Sequence, residues 1–304
     1  MNNKAPNKHS DARSFEMRRL IFLGAAGVLI LVVVILSLLS AFGGKSDGQS
    51  TGNGTSSAVT EDGKLVIQDL YEGEITIPKF NVPLNTYDQS KFKNDNGLVT
   101  YDDANASLGI DVSDYQGDID WQQVYDSGVR FAIVRAGGMY YGSGELYTDD
   151  NFIKNIEGAK AAGLRVGAYF FSQAISEDEA EAEAKFVLDL LGDRKLNLPV
   201  FFDWERISGD TARTDGLDNE TLTACAVKFC QTIESAGFDA GVYIYNDTGY
   251  YGYDLAQLED YTFWCVGIST YPCFYYAHEF WQYSFKGTVP GINADCDLNM
   301  MFEK

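Results

Sequence analysis

Asp203 and Glu205 flank Trp204 in the segment PVFFDWERIS (Pro199–Ser208), directly after an apolar run. Side chains two apart on a strand point the same way, so these two acids share a face at the strand's exit while Trp204 faces elsewhere. Acids are rarely buried unless something pairs with them. Crowded carboxylates cannot all ionise, so one is held as an acid near neutral pH. Cleavage of a glycosidic bond needs this pairing: one carboxylic acid protonates the leaving oxygen, and a carboxylate supports the positive charge developing on the sugar carbon. A purely structural role competes, with Asp203 capping the next helix and Glu205 pairing with Arg206.

The same pattern recurs elsewhere in the chain. LGIDVSDYQGDIDW places Asp111 after Leu108, Gly109 and Ile110, again at a strand's end. Within that stretch Asp120 reads as a helix N-cap, and Asp114 and Asp118 as loop acids in solvent. The last strand region, FWQYSFKGTVPGINADCDLNMMF, carries Asp295 and Asp297, with Asn299 beyond. Separate strand ends thus direct Asp111, the Asp203/Glu205 pair and Asp297 toward one mouth. Of the aromatic residues near strand ends, Tyr169, Tyr245 and Trp281 are the candidates for stacking on sugar rings, with core packing as the alternative. No phosphate loop or nucleophile elbow competes. Two histidines, His9 and His278, are too few for a His-based triad or zinc site. The five cysteines (Cys225, Cys230, Cys265, Cys273, Cys296) form no CxxC pair and read as free core residues. No metal or other cofactor is expected.

Such acids need a frame. From Leu108 onward strand-like runs (LGIDVS, RFAIVRAGG, RVGAYFFSQA, LPVFFDWE, AGVYIYND, TFWCVGIS, EFWQYSF) alternate with helix-like ones. SEDEAEAEAKFVLDLLG has Ser176 as N-cap, Glu179 at the capping-box position and Gly192 as the stop. DDNFIKNIEGAKAAG and DNETLTACAVKFCQTIESAG are the other two helices. Strand then helix, repeated, predicts parallel strands with helices outside, and apolar runs such as VGAYFF suit strands covered on both faces. The expected class is α/β: a modified β/α, TIM-barrel-like fold with parallel strands, its site at their carboxyl ends.

The N-terminal third is built differently. Residues 1–19 form a basic leg, with Lys4, Lys8, Arg13, Arg18 and Arg19 against Asp11 and Glu16. Leu20 to Phe42 is an uncharged apolar run of about 23 residues, roughly 34 Å as a helix, long enough to cross a bilayer. It is too long for a cleavable signal, and SAFGGKS is a poor cleavage site. The flanking charges keep the N-terminus cytoplasmic and send everything beyond Phe42 outside the cell membrane, which makes this a single-pass anchor. Residues 43–63 are a flexible Gly/Ser linker. Residues 64–107, with KLVIQDL and GEITIP broken by Pro78 and Pro83, are an extended lead-in packing on the domain of residues 108–304. The net charge of −21 argues against nucleic acid as a partner.

The blocks GIDVSDYQGDIDW, FAIVRAGG, VGAYFFSQA, PVFFDWE and FWQYSFKGTVPGINADCDLN resemble, in order, glycoside hydrolase family 25, the lysozyme-type muramidases. The resemblance runs from Leu108 to about Phe302 and omits the anchor, linker and lead-in. It implies a metal-free enzyme that cleaves the β-1,4 bond between N-acetylmuramic acid and N-acetylglucosamine in peptidoglycan; the chain is expected to be a monomer. It further implies Glu205 as proton donor, Asp203 as its assisting acid, and Asp111 and Asp297 as the first- and last-strand acids. Two other readings stay open. A chitinase-like barrel of family 18 also carries D-W-E, but where its motif has further Asp residues this chain has Phe201 and Leu198. A non-catalytic wall-binding module would keep the fold without the chemistry.

Overall fold

A computed structural model describes residues 58–95 and 97–303. The basic leg, the apolar span Leu20–Phe42 and most of the linker lie outside the described residues. Among the described residues no helix is long and apolar enough to cross a membrane.

The segment ahead of the barrel carries two small sheets. Strands β1 (Ala58–Val59), β2 (Leu65–Asp69) and β3 (Gly73–Ile77) form an antiparallel three-stranded sheet. The tight β2–β3 turn depends on Gly73, whose φ of 78° suits a residue without a side chain. Strands β4 (Phe92–Asp95) and β5 (Leu98–Tyr101) make a hairpin. Between the two sheets the chain is fastened to the C-terminal quarter of the protein. Leu84 bridges to Tyr276, and the Asn85 amide donates to the carbonyls of Pro272 and Phe274. Tyr87 stacks on Phe302 at 3.9 Å and donates to the His278 carbonyl. His278 is buried there, and desolvation pushes its pKa down to about 4, so it stays neutral behind the barrel rather than serving the mouth.

The barrel strands are β6 (Ala106–Val112), β7 (Phe131–Met139), β9 (Arg165–Ser172), β10 (Val200–Trp204), β11 (Ala240–Tyr245), β12 (Thr262–Val266), β13 (Phe280–Gly287) and β14 (Cys296–Phe302), with the short β8 (Leu146–Thr148) appended to β7. Helices α1 (Trp121–Asp126), α2 (Phe152–Ala161), α3 (Glu177–Leu191), α4 (Asn219–Ser235) and α5 (Asn246–Tyr251) lie between successive strands. Pairing of β6 with both β7 and β14 closes an eight-stranded ring. The ring is mixed, which corrects the all-parallel expectation: β14 runs antiparallel to both β13 and β6. The sequence does not announce this eighth strand, because it returns from β13 without a helix and so breaks the β/α alternation. Its direction also means that Asp297 reaches the mouth from a strand's beginning.

Inside the ring Phe131, Ile133, Tyr169, Phe201, Tyr243, Trp264, Phe280 and Met301 make a packed aromatic core. Phe201, for example, lies 5.2 Å from Trp264 and 5.3 Å from Phe280, between ring centres. Gly109 leaves room for this packing, since a Cβ there would fall 2.2 Å from the Phe131 ring. The helices cover the outside with apolar stripes: Ala180, Ala184, Val187 and Leu191 on α3, and Leu222, Cys225, Ala226, Phe229, Cys230 and Ile233 on α4. The cysteines are free thiols, four of them buried and Cys273 partly so. Ser176 caps α3 by accepting from the Glu179 backbone, and acids in the first turn suit the positive end of that helix. Asp120 caps α1 in the same way.

Candidate active site

Strand alternation decides what the mouth contains. Phe201 faces the inner core, so Asp203 and Glu205, two and four residues on, face inward at the carboxyl end of β10. Both are buried. The Asp203 Cα stands opposite Tyr243 on β11 and Phe171 on β9. One step further along, the Tyr245 hydroxyl donates to Glu205 Oε2 at 2.9 Å and sets the orientation of that carboxyl group. The Glu205 backbone is held too, its carbonyl accepting from Gln173 Nε2 at 3.2 Å.

Across the barrel, Asp111 on β6 and Asp297 on β14 are direct cross-strand partners. Like charges placed opposite one another repel, and Gln282 of β13 lies against both. Its Nε2 donates to Asp111 Oδ2 at 2.7 Å and to Asp297 Oδ2 at 3.2 Å. Asn299 Nδ2 adds a second donor to Asp111 Oδ2, also at 2.7 Å. Each amide is turned by an aromatic partner: Tyr243 donates to Gln282 Oε1 at 2.5 Å, and Trp264 Nε1 donates to Asn299 Oδ1 at 2.8 Å. The Tyr243 and Tyr245 rings meet edge to face at 5.5 Å, which joins the Asp111/Asp297 side of the mouth to the Glu205 side.

A second charged group closes the β7 side. Arg135, buried at the carboxyl half of β7, pairs with Asp149 at 2.8 Å and Asp114 at 2.6 Å. Asp114 is solvent-exposed, as expected, and in addition pairs with Arg135, while Asp118 is exposed beside Lys154. Burial pushes the Asp149 carboxyl up, against the pull of Arg135. Behind β9 sits Glu183 of α3, with none of its surface exposed. It accepts from the Ser172 hydroxyl at 2.6 Å and from the Gln173 backbone at 3.2 Å. Desolvation outweighs these bonds and pushes its pKa up to about 8. Gln173 thus links Glu183 to the backbone of Glu205.

The structure brings Asp203, Glu205, Asp111, Asp297 and Tyr245 to one mouth. Tyr169 lies a layer lower, opposite Phe201 and edge-on to Trp264 at 5.9 Å, in the barrel floor. Trp281 requires a correction. It alternates with the inward-facing Phe280 and Gln282, so it points outward, 1% exposed, bonded to the Gly267 carbonyl and packed against Phe92. It has no face to offer a sugar. Gln282, Gln173 and Arg135 were not singled out from the sequence, where Tyr243 reads only as one of the aromatic residues near strand ends. The signal lay in parity, since Gln282 is two residues from Phe280 as Asp203 is from Phe201.

Acids gathered at one mouth of a barrel, with aromatic side chains between them, are equipment for splitting bonds between sugars. The chain belongs to glycosyl hydrolases family 25, whose model matches residues 110–292. Asp111, Asp203 and Glu205 fall inside that span; Asp297 and Asn299 lie beyond it. The chain is 28% identical over 198 residues to the autolytic lysozyme of Clostridium acetobutylicum, covering 64% of this chain and 56% of that one, so it spans little more than half of that relative. It is 28% identical over 207 residues to lysozyme M1 of Streptomyces globisporus, covering 65% of this chain and 68% of that one. Among solved structures, a bacterial lysozyme from Streptomyces coelicolor matches with a TM-score of 0.54 and 28% identity, covering 66% of this chain and 94% of its own.

Proposed function

We propose that this chain is a peptidoglycan hydrolase, an N-acetylmuramidase that cleaves the β-1,4 bond between N-acetylmuramic acid and N-acetylglucosamine. Glu205 is the general acid that protonates the leaving oxygen, and Asp203, on the same strand face, supports the charge that develops at the sugar carbon. Asp111 and Asp297 hold the substrate, their carboxylates locked in place by Gln282 and Asn299. The observation that carries this reading is the inward-facing Asp203/Glu205 pair, with the Glu205 carboxyl oriented by Tyr245. Family membership and the lysozyme names of the relatives support the substrate. Mass spectrometry of a digest of purified peptidoglycan tests it. Fragments with a new reducing end on N-acetylmuramic acid are expected. A reducing end on N-acetylglucosamine overturns the bond assignment, and release of no sugar leaves a wall-binding module.

The enzyme works at the cell surface, tethered by the span Leu20–Phe42, its N-terminus cytoplasmic and its catalytic domain outside as a monomer. The uncharged run flanked by basic residues supports this, as does the net charge of −21, which repels anionic wall surfaces and makes a tether useful. The full chain is expected to stay with membranes through alkaline carbonate washing and to dissolve in detergent. Recovery in the carbonate supernatant overturns the anchor.

A further inference from the structure

The residues ahead of the family match reach the rim of the mouth. Asp69, the buried last residue of β2, accepts from the backbones of Tyr71 at 2.8 Å and Glu72 at 3.0 Å, which shapes the hairpin turn. Its other oxygen accepts from the amide of Asn246, the residue next to Tyr245, at 3.3 Å. On the far side of the turn the Tyr71 hydroxyl lies against Gly267, where a Cβ would sit 3.6 Å from it. Gly267 directly follows Val266, the sheet neighbour of Tyr245, and its N–H donates to the Gln282 carbonyl at 3.0 Å. The hairpin therefore hangs on the ends of β11, which presents Tyr245, and of its neighbour β12.

Tyr71 is oriented unusually for a surface tyrosine, which ordinarily keeps its ring covered and its hydroxyl in water. Here the hydroxyl is turned inward against Gly267, on the side of Cys273 and Ser269, and desolvation pushes its pKa upward. Yet 48% of the residue is exposed, beside Leu70 at 47% on the turn and near Ile268 at 38% on the rim. With its hydroxyl turned in against Gly267 and nearly half of the residue in solvent, Tyr71 offers a flat surface at the rim. We propose that Tyr71 is a stacking platform for a sugar ring, extending the glycan-binding groove from the catalytic mouth onto the β2–β3 hairpin. This rests on the muramidase reading above. The occupant is an N-acetylhexosamine of the glycan strand beyond the rings flanking the cleaved bond. Asp69, Glu72 and Glu74 around the turn disfavour the carboxylate-bearing peptide stems and leave a neutral ring as the fitting partner.

The test compares the full-length chain with its Tyr71→Ala and Tyr71→Trp variants on long glycan strands and on a tetrasaccharide, each with and without peptide stems. Tyr71→Ala is expected to lower the long-over-short preference in kcat/KM by about three- to tenfold, the range a single ring contact supplies. Tyr71→Trp, which keeps a flat face, should retain most of that preference and shows that the loss is not misfolding. The same loss should persist on stem-free glycan. An unchanged preference in Tyr71→Ala overturns the platform, and so does a loss seen only on stem-bearing strands. If the wild type itself releases no muramic-acid-terminated fragments, the functional reading falls instead.

Discussion

Replacing Glu205 with Gln is expected to lower turnover of peptidoglycan by about 10²–10⁴-fold, the usual worth of a positioned general acid. The amide keeps the shape of the side chain and still accepts the Tyr245 hydroxyl bond made at 2.9 Å, so the fold and the mouth should survive. What it cannot do is deliver a proton to the departing oxygen. Tm and circular dichroism should match the wild type while release of reducing sugar collapses. A folded Glu205→Gln enzyme with near-normal turnover takes the acid role away from Glu205 and returns it to the other carboxylates of the mouth.

The second large effect concerns stability rather than rate. Glu183 is wholly buried and its folded pKa lies at about 8, against 4.5 for an ordinary Glu. Between those values the folded protein holds a proton that the unfolded chain has released. The stability contributed by this proton is therefore full below about pH 4.5, falls as pH rises through the window, and is gone above about pH 8. A pKa unit is worth about 1.4 kcal/mol, so the window spans several kcal/mol. Each of these moves Tm by about 2–4 °C in a domain of this size. Glu183→Gln has no proton to lose; its one carbonyl oxygen can still accept from the Gln173 backbone, and its NH2 can donate to the Ser172 hydroxyl oxygen. It should flatten the decline and exceed the wild type in Tm at about pH 8. Parallel Tm-against-pH curves for the two proteins would sink this account.

The parts of the site legible in the sequence were those governed by local rules. Strand parity placed Asp203 and Glu205 on one face, and the caps at Ser176 and Asp120 came from short-range chemistry that a sequence displays. The parts that stayed hidden depend on register between distant strands. Nothing local says that Gln282 lies opposite Asn299, or that Asp111 and Asp297 are partners, because those pairings arise from closing the ring. Trp281 shows the same limit. Its neighbours' inward orientation would have excluded it, but only once Phe280 was known to face the core. The hairpin of β2 and β3 was visible as alternation, whereas its seat beside Tyr245 is set by Asp69 and Asn246, 177 positions apart.

The antiparallel β14 has a consequence for how the enzyme comes into being. A chain is made from its N-terminus, so β6 is complete long before its partner strand β14. The Asn299 bond to Asp111 joins residues 188 positions apart, so the first acid of the mouth waits for the last strand of the barrel to arrive. Such distant pairings form late, after the loop-closure cost has been met by everything between. A barrel still lacking β13 and β14 is an open sheet with a bare β6 edge and an Asp111 that has neither Asn299 nor Gln282 beside it. Ring closure and assembly of the acid mouth are thus a single event, and the site is complete only once the barrel is whole.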